Sequence, residues 1–257
     1  MPLLPRQQTR DRNREKTLRV LRFLRTSIYS TADLLGEVMG VKSRDGIHKS
    51  LMGMEKKGLL RRQRFHEFTG TFTLWGITPA GQQACLQEAE EPVTIFFNIA
   101  KVSLARLQHY LSMQQIRIRA EAAGWHDFVY CDRRQVFKDD TEDSIKKTNH
   151  EIRPDLLAVT PHNRKVAIES ERLMKWPPRY KEHVLPAHIR RLNDGEYQQV
   201  IWVCRTREDE EKLKAILAAA IKELRNDKDQ EFIRLDQSAS KEYKTFAFAT
   251  ISSWPNF

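Results

Sequence analysis

Pro154-Asp155 is followed fourteen residues later by Glu169-Ser170-Glu171, and each acidic cluster adjoins a short apolar run. Leu156-Leu157-Ala158-Val159 follows Asp155, and Val166-Ala167-Ile168 precedes Glu169. Two neighbouring strands built on these runs would bring three carboxylates to one point. Carboxylates that close repel one another unless a cation lies between them. Their hard oxygens suit Mg²⁺ or Mn²⁺. Such an ion beside a phosphate supports metal-assisted phosphodiester cleavage.

In that arrangement Asp155 and Glu169 would hold the ion. Alternation along the strand puts Glu171 on the same side as Glu169. There it would complete the ion's shell or take a proton from an attacking water. Lys175 lies just beyond, placed to stabilise developing negative charge. Arg153 is a candidate phosphate clamp. His150 is a candidate ligand or base, the alternative being a surface residue at a strand edge. Glu151, four residues before Asp155, is a candidate further ligand. Tyr180 is a candidate nucleophile, although packing at a helix start is the preferred reading and water the default attacker. Arg179 and Lys181 are candidates for phosphate contact, as is His183 if it shares their face.

The elements that must position these groups follow from the pattern of apolar residues. A hairpin is expected over 155–159 and 165–171, turning around His162-Asn163. Behind it a helix spans about 178–191, then a buried strand 199–204 and a helix 208–225 with Leu213, Ile216, Leu217 and Ala220 inward. Further strands are expected at 126–131, 134–138, 231–236 and 244–251, and a charged loop at 138–149. A long helix from about 93 to 123, closed by Gly124, leads in.

The N-terminal part reads differently. Residues 1–15 suggest a flexible basic arm. A helix over 16–26 places Leu18, Leu21 and Leu24 on one face. Ser30 is the expected cap of a second helix and Ser43 of a third, whose inward residues are Ile47, Leu51 and Met54 and which Gly58 ends. Strands at 59–65 and 71–75 form a hairpin around Gly70. Thr78-Pro79 opens a further helix, with Thr as cap and Pro at its first position. The acidic stretch 88–92 is the expected linker.

The chain has 257 residues, enough for two domains, and its net charge of +10 favours a polyanion as partner. Three scattered cysteines fit no zinc spacing and suggest a reducing compartment. Neither a membrane-spanning run nor a signal-peptide core is present, so a cytoplasmic protein is expected.

Three helices followed by a two-stranded hairpin resemble the winged helix-turn-helix, as does the run Glu55-Lys56-Lys57-Gly58-Leu59-Leu60 with Phe72-Thr73-Leu74-Trp75-Gly76-Ile77-Thr78-Pro79. The resemblance implies that Arg44, His48 and Lys49 on the third helix, and Arg62 and Arg64 on the wing, contact DNA. A basic winged helix that binds protein is the alternative. The second half resembles the restriction-endonuclease-like fold, known by its PD-(D/E)xK motif. Pro154-Asp155 and Glu169-x-Glu171 match it except that Glu171 replaces the final lysine. Together the halves imply an α+β chain: a winged helix over 16–92, then an endonuclease-like α/β domain with a mixed central sheet over 93–257.

His150-Glu151-x-Arg153-Pro154-Asp155 with Glu169-x-Glu171, behind a winged helix, is similar to the MOBC relaxases of mobilisable plasmids, relatives of the replication-relaxation proteins. That resemblance implies metal-dependent nicking of one strand of double-stranded DNA at an origin of transfer, with accessory mobilisation or coupling proteins. Three alternatives stay open. The domain could bind DNA without cutting, as Glu171 in place of lysine favours. It could cut both strands as a dimer. The acids could serve only as structural partners of Arg153 and Arg172.

Overall fold

A computed structural model describes residues 6–67, 70–87, 90, 95–131, 153–226 and 245–255. His150 and Glu151 lie outside them, as do the expected strands at 134–138 and 231–236 and the charged loop at 138–149. The chain is α+β and divides into two compact units, Met1–Leu104 and Ala105–Phe257. No helix among the described residues is long and apolar enough to cross a membrane.

The first unit runs α1 (Arg6–Ser27), β1 (Tyr29–Thr31), α2 (Ala32–Met39), α3 (Arg44–Lys56), β2 (Leu60–Glu67), β3 (Gly70–Ile77) and α4 (Pro79–Ala84). Its antiparallel sheet has the order β1-β3-β2. Helix α1 begins at Arg6, so residues 6–15, expected as a flexible arm, are helical. No glycine or proline interrupts them, and Glu15 pairs with Arg19 one turn on at 2.5 Å. Ser30 does not cap α2. It is buried in β1, and the next residue, Thr31, accepts the N–H of Leu34. Ser43 and Thr78 cap α3 and α4 as their spacing predicts, accepting from the N–H of Gly46 and Gly81. Gly58 follows α3 with a φ of 70°, in the left-handed region where a Cβ is penalised. Val20, Leu21, Phe23 and Leu24 of α1 pack into one core with Leu35, Leu51, Leu74 and Ile77.

The long helix expected from residue 93 starts instead at Leu104. Asn98 caps a single 3₁₀ turn, and Phe97 gives its N–H to the carbonyl of Ile77. The Phe97 ring occupies the space that a Cβ on Gly76 would fill, its Cγ only 2.0 Å from that position. Tertiary contact therefore overrides helix propensity at 95–98.

The second unit runs α5 (Leu104–Ala122), β4 (His126–Tyr130), β5 (Leu156–Val159), β6 (Lys165–Glu171), α6 (Pro177–Arg179), a π turn (Tyr180–Val184), α7 (Leu185–Asn193), β7 (Gln199–Cys204), α8 (Arg207–Asn226) and β8 (Phe246–Thr250). These strands form one mixed sheet of order β4-β5-β6-β7-β8. The pairs from β4 to β6 are antiparallel, and those from β6 to β8 are parallel. Parallel neighbours need crossovers, which α6–α7 and α8 supply. Ala167, Val200, Trp202 and Cys204 face that helical layer and share a core with Tyr180, Leu185, Ile189, Leu213 and Leu217. Each fully buried Leu or Ile side chain contributes about 1.5–3 kcal/mol. Helix α5 covers the other face, where Ser112 meets Ser170 at 2.9 Å and Trp254 donates its indole N–H to the carbonyl of Ile116.

Candidate functional site

Strands β5 and β6 are joined by a short turn in which Asn163 takes a φ of 61°. Their register pairs Leu156 with Ile168, so the next step brings Asp155 beside Glu169. Apolar residues hold both strands in the sheet, and the acids mark where each run ends. Asp155, Glu169 and Glu171 are all buried, at 8%, 5% and 2% exposure. Buried carboxylates require partners, and each has one.

Asp155 accepts the backbone N–H of Ser170 at 2.8 Å and faces Nε2 of His109, on α5, at 3.0 Å. Glu169 faces Nε2 of His188, on α7, at 3.0 Å, and Nδ1 of that ring lies 2.7 Å from the Tyr197 hydroxyl. A carboxylate only accepts, so Nε2 carries the proton toward Glu169, an assignment made from the network. Nδ1 then accepts from Tyr197. Glu171 receives the Lys175 ammonium at 2.5 Å. The backbone N–H of Lys175 donates to the Tyr180 hydroxyl at 3.0 Å.

The electrostatics follow from this packing. Burial alone would lower the pKa of His109, but its hydrogen bond to Asp155 and that group's charge raise it above the ordinary imidazole value. Burial raises the Glu171 carboxyl, and Lys175 offsets only part of the shift. Burial disfavours the Lys175 ammonium, yet Glu171, Glu169 and Asp155 outweigh it and hold the proton more firmly than usual. Lys175 thus lies in the combined field of all three acids. An open cleft of about 330 Å³ reaches this point, lined by Arg106, His109, Ser170, Glu171, Arg172 and Lys175.

Lys175 is therefore brought onto Glu171 and into the field of Asp155 and Glu169, whereas the expected gathering of all three carboxylates around one ion site is not seen among the described residues. Tyr180 is adjacent but fully buried, and burial with the charge of Glu171 raises its phenol pKa well above the ordinary value. Its hydroxyl holds the Lys175 backbone, which is the position of a framework residue. Arg153 and Arg179 are exposed, whereas Lys181 pairs with Glu223 of α8. The carboxylates' partners are His109, His188 and Lys175 in place of Arg153 and Arg172. Sequence reading passed over both histidines, along with Ser112 and Tyr197. The one available signal was that His188 shares a helix with Leu185, Ile189 and Leu192 at apolar spacing.

In the first unit Arg44, His48 and Lys49 are exposed on α3, and Arg62 and Arg64 are exposed on β2. His48 lies edge-on to Trp75 at 6.4 Å, and the Arg62 guanidinium stands 6.0 Å from the same ring. Arg62 is also held by Glu55 at 3.2 Å.

No protein-family model matches this chain, and no curated protein matches it.

Among the described residues no group of three or more His, Cys, Asp or Glu side chains is gathered as a cage for a metal ion. Mg²⁺ does not need one, since it commonly binds through one or two carboxylates and completes its shell with water and substrate phosphate. Asp155 and Glu169, at adjacent positions on β5 and β6, are the carboxylates that would hold an ion in that mode. Glu171, committed to Lys175, fits it less well.

Proposed function

We propose that this chain is a metal-dependent DNA nickase of the relaxase kind, working in the cytoplasm. In this reading the first unit is a winged helix that recognises an origin of transfer, and the second is an endonuclease-like domain that cuts one strand. The observation that carries it is that Lys175, which lines an open cleft, lies in the combined field of Asp155, Glu169 and Glu171. The order of three helices and a hairpin, with Arg44, His48, Lys49, Arg62 and Arg64 among the side chains exposed on α3 and β2, supports the DNA-binding half. The mixed sheet between α5 and the α7–α8 layer supports the nuclease half. The origin of transfer, and any accessory mobilisation or coupling proteins, rest on the motif resemblance alone.

Bound Mg²⁺ or Mn²⁺ would activate water and neutralise phosphate charge. The chain's own groups do the rest. His109 and the Ser170 N–H fix Asp155, and His188 fixes Glu169, so both acids present oxygens in set directions. Lys175 places a firmly held proton beside the reacting phosphate, where it stabilises the charge that develops on oxygen. Glu171 aims Lys175. Arg153 and Arg179 bind flanking phosphates, and Lys181 joins them on release from Glu223.

A second reading, a DNA-binding protein that does not cut, is favoured by one observation: all three carboxylates already have internal partners. Supercoiled plasmid carrying the element's origin separates the two. The nickase reading expects open circles with Mg²⁺ or Mn²⁺, none with EDTA, and loss of nicking in Asp155→Ala and Glu169→Ala. Intact supercoils with origin binding retained, also after partner proteins are added, would establish the second reading. Linear product would indicate a double-strand endonuclease.

A further inference from the structure

The short segment after β6 has an unusual division of its side chains. Met174 packs against the buried core, and Lys175 turns inward to Glu171. The backbone is pinned at both ends, by the N–H of Arg172 on the carbonyl of Ser170 and the N–H of Lys175 on Tyr180. The two remaining apolar residues point outward: Leu173 is 66% and Trp176 71% exposed. Water-exposed indole of that extent forgoes the stabilisation that burial gives. The segment is thus a fixed mount that holds a large aromatic surface in solvent, one residue beyond a side chain of the cleft.

Its surroundings decide what would cover it. Leu173 and Trp176 are separated in sequence by the inward-turned Met174 and Lys175 and are flanked in sequence by Arg172, Pro177 and the exposed Arg179. Arg106 and Arg172 line the adjoining cleft. A protein-binding hot spot is centred in a contiguous, desolvated apolar patch, whereas here two isolated apolar side chains are flanked by arginines. Phosphates complement the cations, and a base face complements the indole. Duplex DNA keeps its base faces stacked inside, so only an unpaired strand offers both.

We infer that Trp176 is a stacking platform for a base of an unpaired DNA strand, with Arg172 and Arg179 on the flanking phosphates. The inference deepens the nickase reading and rests on it for DNA as the polymer. It names the substrate form that the cleft receives: a strand separated from its complement near the cut.

Fluorescence tests this directly. Of the five tryptophans, Trp75, Trp202 and Trp254 are buried, Trp125 packs edge-on against Trp254 with ring centres 5.0 Å apart, and only Trp176 is largely exposed. The full chain in EDTA is titrated with a single-stranded oligonucleotide, an abasic strand of equal length, and a duplex closed at both ends by non-nucleotide linkers. The single strand quenches emission, and the abasic strand and the duplex do not. Trp176→Ala, a surface change that leaves the fold intact, removes the quench. It weakens single-strand binding by about 5- to 160-fold, the contribution of one stacked base, with duplex affinity unchanged. Trp176→Phe keeps most of the affinity. Equal loss for strand and duplex, or quenching by the abasic strand, overturns the inference. So does a quench that depends on protein concentration without DNA, which would place a second copy on the indole. Because no cleavage occurs in EDTA, the result is separate from nicking: strand binding through Trp176 in a chain that never nicks would uphold the platform and defeat the nickase reading.

Discussion

Replacing His188 by alanine should cost the second unit more than any other single change near the acids. The ring is fully buried and makes two hydrogen bonds, at 3.0 Å to Glu169 and 2.7 Å to Tyr197. It also stands edge-on to Trp202, ring centres 5.5 Å apart. Its removal leaves Glu169, only 5% exposed, without its imidazole partner, and takes one partner from the buried Tyr197 hydroxyl. An orphaned buried polar atom costs about 1–3 kcal/mol, and breaking a buried pair that includes a charge about 3–5 kcal/mol. The terms overlap, so about 3–5 kcal/mol is expected. Two compact units need not unfold together, so a single bulk transition is a poor gauge. Hydrogen exchange on peptides covering 165–171 and 199–204 reads the second unit alone. His188→Ala should lower the opening free energy there by that amount and leave peptides of 60–77 unchanged. His188→Gln, which keeps an N–H for Glu169, should recover part of the loss. A cost below about 1 kcal/mol would refute the argument that His188 holds Glu169 in place.

Two further outcomes follow from the same structure. The folded-state pKa of His109 is raised, so its pairing with Asp155 contributes stability that is fully present below about pH 6.5, the ordinary imidazole value, and is lost as pH rises through the raised value. Hydrogen exchange on second-unit peptides from pH 5.5 to 8.5, corrected for the intrinsic exchange rate, should show this decline in the wild type and a flatter profile in His109→Gln, and parallel profiles would exclude the linkage. Gly76→Ala places a methyl about 2.0 Å from the Phe97 ring carbon, so the ring must leave its seat. Overpacking of that kind costs about 1–3 kcal/mol, measurable as lost exchange protection in the first unit, and Phe97→Ala in the same chain should relieve part of it.

What the sequence made legible was local. The hairpin of β5 and β6, the caps Ser43 and Thr78 and the inward faces of α3 and α8 each depend on residues within one or two turns of each other. The meeting of Asp155 with Glu169 was readable for the same reason, since one short turn sets their register. Their partners were not, because His109 lies 46 residues before Asp155 and His188 lies 19 after Glu169. Those contacts exist only once α5 and α7 pack on opposite faces of the sheet. The start of α5 was misplaced because Phe97 fits over Gly76, a contact that no periodicity announces. Ser30 and Thr31 are both able caps, and the pairing of Ser30 with Trp75 across the sheet decides between them.

The central claim is that Asp155 and Glu169 together receive a divalent cation. Electron paramagnetic resonance of Mn²⁺ titrated into the full chain tests it without DNA, because bound Mn²⁺ loses the sharp six-line signal of the free ion. Wild-type protein should take up the ion. Asp155→Asn and Glu169→Gln should each weaken uptake at least tenfold, and Lys175→Met should leave uptake in place. Uptake that neither carboxylate change alters, or no uptake at millimolar Mn²⁺ either alone or with an origin strand present, would contradict the account.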